Sequence, residues 1–167
     1  MRTAKVERLS RDGFAPFGEF ARMIDPDTEF IGKKPIQFFR DMVPLNLGGA
    51  SVASFSVCRV EKRPMVVDVT EYHTGCGEGI LPLDADILIH VAPATPTGVV
   101  PWDRIRVFRV PKGTFVALKA GVWHHAPFLA SARAKAANVL IVLPERTYAN
   151  DCVVRELKGK EQVVVEE

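Results

Sequence analysis

Cysteine is scarce in this chain. Its 167 residues include three, Cys58, Cys76 and Cys152. An odd, sparse set argues against a disulfide framework and fits a reducing compartment. No two of them stand at a Cys-x-x-Cys spacing, which argues against a zinc knuckle. Charge of one sign is lacking too. The 22 Lys and Arg nearly balance 20 Asp and Glu, for a net charge of +2. That leaves no electrostatic case for nucleic acid or a membrane surface. Long hydrophobic runs are missing: nothing approaches the roughly 20 apolar residues of a membrane helix, and residues 1–8 hold no apolar stretch of signal-peptide length. The expectation is a soluble, cytoplasmic protein. No stretch keeps a 3.6-residue apolar period over three turns, apart from an Ala-rich piece near Ala130 to Ala137. No repeat and no interior linker is evident. A single domain over residues 1–167 is expected, long enough to bury a core.

What is present reads as strands. Lys5 to Leu9 fits a short strand. Ser10 then fits an N-cap for one helical turn, Arg11 to Phe14, cut short by Pro16 with Gly18 ending it. Phe14, Phe17 and Phe20 recur every three residues and are expected to plug the core. Phe38 to Asp41 is an edge strand or a short helix. After the break at Gly48-Gly49 come candidate strands at Ser51–Val60, Met65–Thr70, Ile80–Leu83, Ile87–Ala92, Ile105–Val110, Thr114–Leu118 and Asn138–Leu143. Gly and Pro turns divide them. Short strands at regular spacing predict an all-β antiparallel jelly roll with short peripheral helices.

Two segments hold most of the groups able to do chemistry near neutral pH. One is Glu71-Tyr-His-Thr-Gly-Cys-Gly-Glu78. The other is Gly121-Val-Trp-His-His-Ala-Pro127, with two of the four histidines, His124 and His125. In a jelly roll, an early and a late strand line the same mouth. Strand neighbours face opposite ways, so His124 is expected to point inward and His125 to support it or meet a neighbouring subunit. Imidazole and carboxylate together serve either a zinc, manganese, iron or nickel ion or general acid/base work. Arg59, Lys119 or Arg106 is available for a substrate carboxylate. His90, inside an apolar strand, reads as structural. Cys76 has no neighbour to lower its pKa, and Trp123 reads as core or rim.

These segments resemble the ureidoglycolate lyase family. The stretch Gly121 to Phe128 is similar to its signature, in which a His-His pair follows Val-Trp and precedes Pro and an aromatic. Glu71 to Leu83 is similar to its Glu-Arg-His segment. Gly13-Phe-Ala-Pro-Phe-Gly18 resembles its entry, Phe39 to Val43 falls where it has a similar aromatic-rich piece, and Asn150-Asp-Cys-Val153 resembles its Asp-Asn-Cys stretch. The resemblance runs through nearly the whole chain. It implies a cupin, in agreement with the jelly roll reached from the strands. It also implies a homodimer that cleaves ureidoglycolate to glyoxylate and urea in purine (allantoin) breakdown, with no organic cofactor. Two departures stand out: Tyr72 where the family has Arg, and Glu78 where it has Gln.

With Glu78, the segment moves toward the general cupin metal pattern, a His followed five residues on by Glu, then a later Gly-x-x-His. His73, Glu78 and His124 match it, and Glu71 is a candidate fourth ligand for a divalent metal. The catalytic candidates are His124, Glu78, His73 and His125; the substrate-side candidates are Arg59, Lys119 and Tyr72. Two other readings stand beside the lyase: a metal-dependent isomerase or epimerase on a sugar or sugar acid, and a non-catalytic cupin that binds a small molecule. The apolar stretches Val99-Val100 and Val163-Val165 are offered as sheet edges for pairing of two copies.

Overall fold

The computed structural model describes residues 2–96, 98–131 and 133–167. Strands dominate it. In chain order the elements are β1 (Arg2–Arg8), α1 (Arg11–Phe14), β2 (Gly18–Arg22), β3 (Ile31–Lys33), β4 (Ile36–Phe38), β5 (Ala53–Glu61), β6 (Val66–Val67), β7 (Val69–Tyr72), β8 (Glu78–Pro82) and β9 (Ile87–Val91). They continue with β10 (Arg106–Val110), β11 (Thr114–Leu118), β12 (Phe128–Leu129), β13 (Ala136–Pro144), α2 (Thr147–Asn150), β14 (Val153–Glu156) and β15 (Val163–Glu166). Among the described residues, no helix is long and apolar enough to cross a membrane.

Two main sheets form the expected jelly roll with short peripheral helices. The six-stranded sheet has the order β12-β9-β10-β1-β15-β6, and the five-stranded sheet β2-β11-β8-β13-β5. Two small sheets, β7 with β14 and β3 with β4, flank them. Pairing is antiparallel except at β1, which runs parallel to both β10 and β15.

Strand β9 shows why its sequence is continuously apolar. Ile87, Ile89 and Val91 join a core shared with Phe14, Ile80, Phe108 and Val116. Leu88 joins a second core with Trp123, Phe128 and Val163. A strand buried on both faces cannot alternate with polar residues. The first core is stapled at its N-terminal end by α1. Ser10 Oγ accepts from Gly13 N at 3.2 Å, as the N-cap reading requires. That turn drives Phe14 edge-on into Phe108, with ring centroids 5.2 Å apart, and Phe17 and Phe20 pack around Phe14 at 6.0 Å each. The expected aromatic plug is there.

Four expectations change. Gly18 does not end a turn; it opens β2, against the backbone of Ala117. The Ala-rich piece is not helical. Ala136 and Ala137 belong to β13, where buried Ala137 and Val139 alternate with half-buried Asn138 and Leu140; Ala132 lies outside the described residues. Of the Phe38 to Val43 stretch, only Phe38 is in a strand, at the end of the β3–β4 hairpin. Val163 to Val165 is no free edge, because β15 lies between β1 and β6 with Val163 fully buried.

Candidate functional site

The two chemistry-bearing segments are clasped to each other through their backbones. Glu71 N donates to His124 O at 2.6 Å, and His124 N donates back to Glu71 O at 2.8 Å. Gly121 N donates to His73 O at 2.7 Å. Gly121 sits at φ +79°, a turn conformation that costs glycine nothing and side-chain residues strain. Gly77 serves a different need: a Cβ there would lie 2.3 Å from Leu118 O, so only glycine lets the chain close on β11 just before Glu78.

Along β7 the side chains alternate. Glu71 and His73 face the site, while Tyr72 turns to the second core and packs on Trp123 at 4.4 Å between ring centroids. His73 Nε2 and His124 Nε2 each lie 3.1 Å from the same atom, Glu78 Oε2. Glu71, His73 and His124 each present a donor atom, all within 4.8 Å of one another. His73, Glu78 and His124 are buried. His124 points inward, as strand alternation predicts, and meets Glu78 there.

The protons on the two rings follow from their other nitrogens. His73 Nδ1 is 2.6 Å from Asp151 O, and His124 Nδ1 is 2.8 Å from Val122 O. A backbone carbonyl only accepts, so each Nδ1 carries a proton. A neutral ring then turns its Nε2 lone pair toward the centre. Two lone pairs and a carboxylate oxygen repel at 3.1 Å unless a positive charge lies among them. Protons can supply that charge, and so can a divalent metal. Two imidazole nitrogens with two carboxylates are a fitting donor set for one. Carbonyls holding the far ring nitrogens are the usual second contacts of metal-binding histidines.

The protonic alternative has a clear signature. Burial pushes the Glu78 carboxyl up, but the His124 charge and hydrogen bonds from His124 and His73 outweigh it and bring it to about 2. Burial likewise works against a charged His124, yet Glu78 and the Val122 carbonyl raise it to about 8. His125 goes the other way: burial lowers it despite the attraction of Glu71. It is neutral at pH 7, and its Nδ1 has no hydrogen-bond partner. His90 is the structural histidine expected. Burial holds it well below its ordinary value, and its Nε2 meets Thr70 Oγ1 at 3.2 Å; the Thr70 hydroxyl in turn donates to His124 O.

Two residues that support the site were given no role from the sequence. Asp151 fixes His73 through its carbonyl, and its carboxylate accepts from Thr74 N at 2.8 Å, Thr74 Oγ1 at 2.7 Å and Gly75 N at 2.8 Å. Cys152 Sγ donates to Glu71 Oε2 at 3.1 Å. Burial and the Glu71 carboxylate push that thiol up to about 12, so it stays a donor. The only sequence signal for this pair was the Asp-Cys resemblance near the C-terminal end. Asp151→Ala strips two backbone N–H groups of their acceptor. It is expected to lower stability by about 1–2 kcal/mol. Denaturant unfolding reads the effect; a wild-type value would remove the Asp151 carboxylate from the site's support.

Three substrate-side candidates are placed elsewhere. Arg59 is exposed and pairs with Glu61 at 3.5 Å, on the opposite side of β5 from Cys58 and Val60. Lys119 Nζ donates to Ala15 O at 2.6 Å and holds the turn after α1. Tyr72 is committed to Trp123, as above. Arg106 is also spent, on Glu7 and on Gly13 O. Cys76 is buried beside Thr147, and burial raises its thiol, so nothing makes it a nucleophile.

Comparison with known proteins agrees with the motifs. The sequence model of the family described as ureidoglycolate lyase matches residues 1–166. The chain belongs to the ureidoglycolate lyase family. On that membership it is an enzyme of the lyase class. Among relatives of this lyase-family chain, the ureidoglycolate lyase of Burkholderia cepacia is 28% identical over 129 residues, 75% of this chain and 72% of its own length. That of Azotobacter vinelandii is 29% identical over 134 residues, 78% and 79% of the two chains. Solved structures with partial likeness include a dTDP sugar isomerase from Desulfovibrio desulfuricans, at 13% identity and TM-score 0.48 over 87% of this chain and 85% of that one. Another is Bacillus subtilis oxalate decarboxylase, at 12% identity and TM-score 0.43 over 63% of this chain and 24% of that one.

Proposed function

We propose that this lyase cleaves ureidoglycolate to glyoxylate and urea at the centre formed by Glu71, His73, Glu78 and His124. The convergence of both Nε2 atoms on Glu78 Oε2 carries the reading, because it builds a buried polar centre that core packing does not need. In the reaction the carbinol O–H loses its proton, the carbon–oxygen double bond forms, the C–N bond breaks, and the departing urea nitrogen gains a proton. The chain supplies what these steps require. Glu71, His73, Glu78 and His124 would hold a divalent metal, which would supply positive charge to a bound carboxylate and carbinol oxygen. Glu78 and His124 are the pair placed to accept the carbinol proton and return it to urea; the unbonded Nδ1 of His125 is enclosed. Glyoxylate release from ureidoglycolate tests the reading directly; a folded, metal-supplied protein that releases none refutes it.

Metal binding at this centre should depend on pH. Below about 8, His124 Nε2 holds a proton that a metal must displace. Affinity should therefore rise about tenfold per pH unit from pH 6.5 toward 8 and then level, with proton release on binding. Glu78, at about 2, does not compete in that range. Calorimetry in buffers of different ionisation enthalpy checks it; a pH-independent affinity with no proton release would contradict the assignment of His124.

The enzyme is proposed to be a homodimer, paired through the outer face of the five-stranded sheet. Phe55 and Val57 on β5 are 69% and 61% exposed there, with half-buried Leu140 of β13 beside them and the Arg59–Glu61 pair at the end of the same face. An exposed apolar pair on an edge strand suits a self-complementary contact with a second copy. Phe55→Asp should convert a dimer to a monomer in sedimentation analysis. A monomeric wild-type protein would rule the dimer out.

A further inference from the structure

We infer that Thr70, held in place by His90, is a positioning residue that aims His124 at the proposed centre. The inference rests on that centre and names what holds its two segments from behind.

Thr70 does not face the centre. Along β7, Glu71 and His73 point to it, so Thr70 points the other way, where its side chain is fully buried. From that side its hydroxyl donates to His124 O at 3.2 Å. The same carbonyl accepts from Glu71 N at 2.6 Å, and His124 N donates to Glu71 O at 2.8 Å. One carbonyl oxygen therefore ties Thr70, Glu71 and His124 together. The His124 ring is fixed at its far side as well, with Nδ1 2.8 Å from Val122 O. With its carbonyl and its Nδ1 both held, His124 turns Nε2 toward Glu78 Oε2, 3.1 Å away.

His90 sets the direction of the Thr70 hydroxyl. A carbonyl only accepts, so the Thr70 proton is committed to His124 O, and toward His90 its oxygen can only accept. His90 Nε2, 3.2 Å from that oxygen, therefore carries the ring's proton. Burial keeps the ring neutral, which leaves Nδ1 a lone pair, and it has no hydrogen-bond partner among the described residues. His90 is 1% exposed, inside Ile87-Leu-Ile-His-Val91. A buried acceptor without a donor is destabilising. Apolar residues at positions 70 and 90 would fill this core without that penalty, so packing does not account for the pair. Its one outward connection is to the backbone of His124. Contacts of this kind, one step behind the ligands, orient the side chains that hold a metal, and a local cost in the core beside a site is where such a role is expected.

The test sets stability against metal binding. Thr70→Val/His90→Leu removes both polar partners at once and leaves neither unpaired, while His124 O keeps its bond from Glu71 N. Its midpoint in urea should equal or exceed that of the wild type. Its affinity for zinc or manganese, read by calorimetry, should fall roughly 10- to 100-fold. Thr70→Ser keeps the hydroxyl and should bind metal nearly as tightly as the wild type. A pair that only props the core behaves otherwise: the double variant keeps wild-type metal affinity, or loses stability and affinity together, and either result overturns the inference. If the double variant does not fold, the single variants decide. Equal metal affinity in Thr70→Val and Thr70→Ser overturns the inference, and a loss confined to Thr70→Val supports it. A wild type that binds metal but releases no glyoxylate refutes the proposed reaction and leaves this comparison to judge Thr70. A wild type that binds no metal refutes the metal reading, and the imidazole NMR signals of the metal-free protein then judge Thr70. Thr70→Val should shift those of His124 more than those of His73; unshifted His124 signals overturn the inference.

Discussion

Glu78→Gln is expected to reduce kcat/KM by roughly 10²- to 10⁴-fold while the protein still folds. The substitution keeps the side chain's shape and removes its charge. In the native site one oxygen of Glu78 faces both Nε2 atoms at 3.1 Å. An amide there presents either a carbonyl, a weaker metal donor with no charge to pair with His124, or an N–H₂ that donates to the Nε2 lone pairs and cannot ligate a metal. Metal content should fall with activity. The metal-free variant should also lose stability, on the order of 3 kcal/mol, as one partner of a buried pair is removed.

That stability difference has a pH window. The raised His124 pKa contributes stability fully present below the unfolded value of 6.5, and lost as pH rises through about 8. The depressed Glu78 pKa contributes stability present above its unfolded value of 4.5, and lost as pH falls toward about 2. The gap between metal-free wild type and Glu78→Gln should therefore be widest between pH 4.5 and 6.5 and should narrow by pH 8.5. Urea unfolding at several pH values reads it. A gap that widens above pH 8 would mean that the two groups are not paired. An NMR titration should show His124 losing its elevated pKa in the variant.

The second large effect lies far from the chemistry. Phe108→Ala should cost about 3–5 kcal/mol and lower Tm by on the order of 10 °C, with kcat and KM of the folded enzyme unchanged within about twofold. Phe108 is fully buried, edge-on to Phe14 and 5.9 Å from Phe17, with the Arg106 guanidinium 4.8 Å above its ring. Nothing can collapse into the space it leaves, because Phe14 is held by the Ser10-capped turn on one side and β9 on the other. A loss under 1 kcal/mol would mean that the α1 turn is not the staple of this core.

These two substitutions also mark what was legible in the sequence. Strands bounded by Gly and Pro turns were readable as short runs rich in apolar and β-branched residues between breaks; Ile105 to Val110 and Thr114 to Leu118 are cases. The Ser10 cap and the Phe14, Phe17, Phe20 spacing were readable for the same reason: the signal is local. The pairing of Glu71, His73, Glu78 and His124 was readable from spacing together with the family resemblance. What failed was non-local or two-sided. Ala130 to Ala137 suggested a helix because alanine has no strong β preference, and only the sheet partners on β5 and β8 fix Ala136 and Ala137 as strand. Arg59 looked available because the sequence does not say which face of β5 is inside; Cys58 and Val60 are. Asp151 and Cys152 act on residues some 80 positions earlier in the chain, and no local pattern carries such a contact. The parallel pairing of β1 is likewise set by the distant strands β10 and β15.

The most direct measurement is glyoxylate release from ureidoglycolate by the untagged protein as purified, after chelation, and after adding back one equivalent of zinc, manganese, iron or nickel. The account predicts turnover that falls on chelation and returns with one of these metals in the wild type, and does not return in Glu78→Gln. A folded wild-type protein that releases no glyoxylate under any of these conditions would contradict it.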